Sequence, residues 1–104
     1  MSDINAIVAE VRRATDYQAN KQILREKIQT DLHIAYNGGL FKVTPDLIGF
    51  LSAWTDDVVY LADTYENPIE INRVELLTQC KQHYQQVMNR WHQLHAELKQ
   101  IRRV

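Results

Sequence analysis

No glycine or proline occurs between Ile71 and Val104, and the apolar residues of this run recur every three or four positions. With heptad position a assigned to Leu77, Tyr84, Trp91 and Leu98, position d falls on Cys80, Val87, Leu94 and Ile101. All eight are apolar, the pattern of a helix that buries a seam along its whole length. At about 1.5 Å per residue such a helix exceeds 40 Å, whereas a compact globule of this size has a radius of gyration of about 13 Å. The helix therefore has to run the length of the molecule or project from it. Asn72 stands where a cap would start it, with Glu75 placed as in a capping box.

A second long helical segment opens the chain. Ser2 is a cap candidate and Asp3 favours the helix dipole. Ile4, Ile7, Val11 and Ala14 repeat at helical spacing, and the stripe then shifts to Tyr17, Leu24, Ile28 and Leu32. Residues 18–22 are polar and expected to be exposed. LHIAY (32–36) fits two structures. Its alternation reads as a strand leading into an Asn37-Gly38 hairpin turn. Leu24, Ile28, Leu32 and Tyr36 also continue a helix, with Asn37 and Gly38 as a left-handed cap. The absence of any breaker before Asn37 favours the helix over 2–37.

Between the two helices lies a short mixed zone, 38–72. LFKV (40–43) reads as a strand. Thr44-Pro45-Asp46 is a helix start, and the apolar residues Leu47, Ile48, Phe50, Leu51 and Trp54 predict that most of the short helix is buried. DDVVYLAD (56–63) and PIEIN (68–72), separated by TYEN, form a β-hairpin that LFKV would join as a third strand. The expected fold is mainly α (α+β): a single domain over 1–104, with two long antiparallel helices, a small β-hairpin and a short helix between them, and the second long helix over 73–104. Val74, Leu76 and Met88 are left beside the seam, and pairing of protomers into a helical bundle would cover them. The bulky Tyr84 and Trp91 suit a loose bundle better than a tight parallel coiled coil.

Hydrophobic residues make up 45% and charged residues 24%, a globular balance that excludes a disordered chain. No apolar run approaches the length of a membrane span, and the N-terminus lacks the basic and apolar regions of a secretory signal. One cysteine cannot form an internal disulfide, so a reducing, cytoplasmic compartment is expected.

CKQHYQQVMNRWHQLH (80–95) invites a metal reading. With Cys80 at 0°, His83 lies at about −60°, His95 at about +60° and His92 at about +120°, and Cys80 and His95 are about 22 Å apart along the axis. The residues split into two incomplete pairs, short of the three or four ligands zinc requires. No metal or other cofactor is expected. A thiol inside a seam lacks the setting that activates a nucleophile, and no P-loop, dinucleotide motif or nucleophile elbow is present, so the chain reads as a non-enzyme. Asp63 and Glu66 in the hairpin turn could face a hard cation, but acids around a turn read more simply as solvated caps.

Charge is distributed unevenly, +1 over residues 1–44, −6 over 45–75 and +4 over 76–104. Arg12, Arg13, Arg25, Arg102 and Arg103 are the candidate phosphate contacts for a single-stranded nucleic-acid accessory protein. The leading expectation is an interaction or assembly protein, a homo-oligomer and most simply a dimer, using the seam residues and a leftover apolar face, with room for a further protein partner.

GGLFKVTPDLIGFL and YLADTYENPIEINR resemble short uncharacterised proteins of T4-like tailed phages, including marine cyanophages. The likeness covers about residues 38–73 and the helix that follows. It implies a small viral protein of the host cytoplasm, an assembly accessory or a helper of DNA metabolism, and carries no catalytic motif.

Overall fold

A computed structural model describes residues 2–103, with side chains from 4 to 100. The order is α1 (Ser2–Asp31), β1 (His33–Tyr36), β2 (Gly39–Lys42), α2 (Pro45–Ala53), β3 (Val58–Ala62), β4 (Pro68–Asn72) and α3 (Arg73–Arg103). The strands and α2 form a head, and α1 and α3 run from it as a two-helix stalk. Overall the molecule measures 70 × 23 × 19 Å, with a radius of gyration of 19.9 Å. The helices are antiparallel: Ile28 and Leu32 of α1 pack with Val87 of α3, and the Asp31 carbonyl accepts from His83 Nε2.

Helix α1 ends at Asp31, earlier than the sequence pattern predicts, and 32–36 is not helical. His33 to Tyr36 instead pair antiparallel with Lys42 to Gly39. Asn37 (φ 47°) and Gly38 (φ 83°) supply the two left-handed residues of a tight hairpin turn. A final helical turn would satisfy only its own backbone. The hairpin satisfies the backbone of both segments, closes with Val43 N–H donating to Leu32 O at 2.9 Å, and buries Phe41 and Val43.

The other hairpin pairs β3 with β4, Val59 opposite Ile71 and Leu61 opposite Ile69. LFKV does not join it as a third strand; the two sheets stay separate. They are clamped instead through polar groups. Asp63 Oδ2 accepts from Leu40 N–H (3.1 Å), Thr64 N–H donates to Leu40 O (2.7 Å), and Asn37 Nδ2 donates to Glu70 O (2.9 Å). At Gly39 the sheets approach tightly: a Cβ there would lie 2.7 Å from Ile69 Cγ1.

Thr44 caps α2 as its sequence predicts, Oγ1 accepting from Leu47 N–H at 3.1 Å, with Pro45 in the first turn. Burial of α2 is less than expected. Leu51 is fully buried, but Phe50 and Trp54 are exposed, because the helix packs through one face onto α3. Asn72 caps α3 by accepting from Glu75 N–H at 3.1 Å. The reciprocal half of the capping box is replaced: the Asn72 N–H goes to Tyr36 Oη at 3.2 Å, tying the first hairpin to the root of α3. The core of the head comprises Phe41, Val43, Leu51, Val59, Ile71, Leu76 and Cys80. Leu76 is thus core, not leftover surface, because the hairpins cover the first turns of α3.

Candidate interaction surfaces

The α3 seam is divided between two partners inside the chain. Its start, Leu77, Cys80 and Tyr84, packs on the head. Further on, Tyr84, Val87, Met88 and Trp91 meet Leu24, Ile28 and Leu32 of α1. Cys80 and Val87 are buried; Leu77, Tyr84, Trp91, Leu94 and Leu98 are half-buried. Ile101 lies outside the described side chains. The seam is therefore spent largely within the chain, and surface for a partner has to be sought elsewhere.

Helix α1 supplies it. Ile4, Ile7, Val8 and Val11 are 63%, 59%, 49% and 60% exposed. At about 100° per residue they form one stripe, centred roughly 130° around the helix from Leu24 and Ile28, which meet α3. The shift of stripe visible in the sequence thus marks two different faces, one toward α3 and one toward solvent.

A second apolar feature lies at mid-stalk, where Met88, Trp91, His92 and His95 line an open notch of about 300 Å³. Its centre is turned roughly 40° from the side of α3 that meets α1. Seen from the free end of the stalk, α1 recedes and its residues advance clockwise, whereas α3 approaches and its residues advance anticlockwise. The two rotations lead to the same flank, so stripe and notch share one side of the stalk.

The head offers a surface of different chemistry. Phe50 and Trp54 stack at 5.3 Å with rings 22° apart, and Trp54 Nε1 donates to Asp56 Oδ2 at 3.2 Å. Elsewhere on the head a groove of about 450 Å³ is lined by Tyr36, Asn37, Glu70, Asn72 and Glu75 among others. It shares Asn72, Glu75 and Gln79 with a second concavity of about 670 Å³ that reaches Asp57 and Val74. Residues 33–75 hold seven acidic side chains and two basic ones, net −5, while residues 76–104 hold five basic and one acidic. The charge pattern of the sequence becomes an acidic head on a stalk with a basic α3.

The ligand-like residues go to structural roles. Cys80 is fully buried, and desolvation pushes its thiol up to about 11. The Asp31 carbonyl can only accept, so His83 carries its proton on Nε2 and pins the end of α1 to α3. His95 edges the notch and His92 is exposed. Among the described residues no group of three or more His, Cys, Asp or Glu side chains is placed to hold a metal ion. Asp63 is not a solvated cap: it is buried, and it accepts from the backbone N–H groups of Leu40, Tyr65 and Asn67. The Asn67 bond leads in holding its carboxyl below the ordinary range, against desolvation.

Arg73, the lone basic residue of 45–75, donates to the carbonyls of Leu51 (2.9 Å) and Asp56 (2.8 Å) and so fastens the end of α2 to the root of α3. Nothing local in the sequence marks that role, since both acceptors are backbone atoms about twenty residues away. Arg12, Arg13 and Arg25 are exposed, but at about 100° per residue they point in three directions around α1 and form no shared track. Arg102 and Arg103 lie outside the described side chains. No helix among the described residues is long and apolar enough to cross a membrane. Compared with known protein families, curated proteins and solved structures, the chain matches none of them.

Proposed function

We propose that this chain is a non-enzymatic assembly protein that associates with copies of itself through its helical stalk. The observation that carries the reading is the stripe Ile4, Ile7, Val8 and Val11, half to two-thirds exposed along one face of the first turns of α1. Four aliphatic side chains contiguous on one helix face form an apolar patch of the kind that marks an interaction site. Burying each would contribute on the order of 1 kcal/mol, discounted for the part already covered. The resemblance of 38–73 to short T4-like phage proteins extends the proposal to an assembly accessory acting in the cytoplasm of an infected host.

Sedimentation equilibrium tests the reading. The chain is expected to sediment as an oligomer at micromolar concentration, and Ile7→Glu/Val11→Glu to sediment as a monomer with unchanged helical circular dichroism. A monomeric parent chain would overturn it.

A further inference from the structure

We infer that the partner is a second copy lying antiparallel, with the apolar end of each stalk against the acidic, aromatic head of the other and the two Trp91 notches facing across the two-fold axis. The inference rests on the assembly reading above and specifies its geometry.

Three observations carry it. The first is spacing. Asp31 lies beside His83, so in antiparallel register Trp91 stands level with residue 23 of α1. From the middle of the stripe to that level is about 23 Å, at 1.5 Å per residue. The stalk takes about 45 Å of the 70 Å length. That leaves about 25 Å for the head, whose centre then lies about 25 Å beyond the Trp91 level. The notch is therefore midway between stripe and head. A two-fold axis through it superposes the stripe of each copy on the head of the other.

The second is orientation. Stripe and notch share a flank of the stalk, so one face-to-face contact engages both. The third is charge. A parallel pair would set two heads of net −5 side by side, whereas the antiparallel pair sets each head beside the partner's stalk end, where residues 2–19 and 95–103 together hold five basic and four acidic side chains, net +1. On the head, Phe50 (38% exposed) and Trp54 (48% exposed) offer a stacked apolar platform to receive the stripe. A head-to-tail contact made once would propagate into a filament; made twice about a two-fold axis, it closes as a dimer.

Single cysteines decide the geometry. Asn5→Cys sits beside the stripe and Ala53→Cys beside the aromatic platform, both at exposed positions. Cys80, buried with its thiol pushed to about 11, stays out of the reaction. With a short flexible bismaleimide, a mixture of the two variants is expected to give a hetero-cross-linked dimer, and Asn5→Cys alone none. Association should weaken about tenfold in high salt, as screening removes the head-to-stalk attraction. Self-cross-linking of Asn5→Cys alone would establish a parallel pair and overturn the inference while leaving the assembly reading intact. A dimeric mass without the hetero-cross-link would do the same. A monomer by sedimentation would remove the assembly reading itself.

Discussion

Gly39 is placed where the two hairpins touch, and its missing side chain is what lets them touch. A Cβ would meet Ile69 Cγ1 at 2.7 Å, Phe41 Cε2 at 3.1 Å and Asp63 Cβ at 3.2 Å. Gly39→Ala is expected to destabilise the fold by about 1–3 kcal/mol through overpacking, measured by urea unfolding with an unchanged m-value. Gly38→Ala meets no atom within 4 Å. Its cost is confined to the left-handed backbone, about 1 kcal/mol. The two neighbouring glycines thus separate a steric effect from a conformational one. Asp63 gives a pH-dependent counterpart. Its folded carboxyl titrates below the ordinary value of 3.8, so the stability it contributes is present above about pH 4 and lost as pH falls through the folded value. Asp63→Asn should melt several degrees lower at pH 7 and lose part of the acid limb of the stability curve. Equal acid limbs in the two proteins would refute this assignment.

At the scale of elements, local capping chemistry and long-range pairing decide different boundaries. Thr44 and Asn72 start their helices with side-chain oxygens three residues ahead of the amides they accept from. Both were legible in the sequence because the partners are sequence neighbours. Asn72→Ala should cost about 1 kcal/mol, with a further loss if the Asn72 N–H to Tyr36 Oη bond loosens. A double-mutant cycle with Tyr36→Phe measures that coupling. The end of α1 is of the other kind. Helix and strand both fit LHIAY locally, and the choice fell to the strand because β2 was there to pair with it and because Phe41 and Val43 complete the core of the head only from that arrangement. The exposure of Phe50 and Trp54 has the same origin: an all-round apolar helix was placed with only one face on the core of the head.

The whole molecule is a rod with a head. A radius of gyration of 19.9 Å against about 13 Å for a compact chain of this length predicts a small-angle scattering profile with an elongated distance distribution. Antiparallel pairing with full overlap adds thickness and almost no length, so the maximum dimension should stay near 70 Å while the mass doubles. End-to-end pairing would instead lengthen the particle by tens of ångströms, since each stalk alone is about 45 Å. One scattering measurement at dimeric concentration therefore discriminates the two.

The order of residues alone was enough for the two long helices, the three short strands outside the ambiguous stretch, the caps at Thr44 and Asn72 and the inward direction of Cys80 and Val87. Each rests on interactions within a few residues, namely periodicity, breakers and capping oxygens, which the local order of residues specifies. Tertiary structure alone decided that 33–36 is a strand, that Leu76 is core, that Asp63 and Arg73 bind backbone atoms of distant segments, and that the first stripe of α1 faces solvent while the second faces α3. Those outcomes depend on which surfaces of the folded chain are already covered when a residue comes to be placed. That depends on contacts between residues tens of positions apart, which no local pattern encodes.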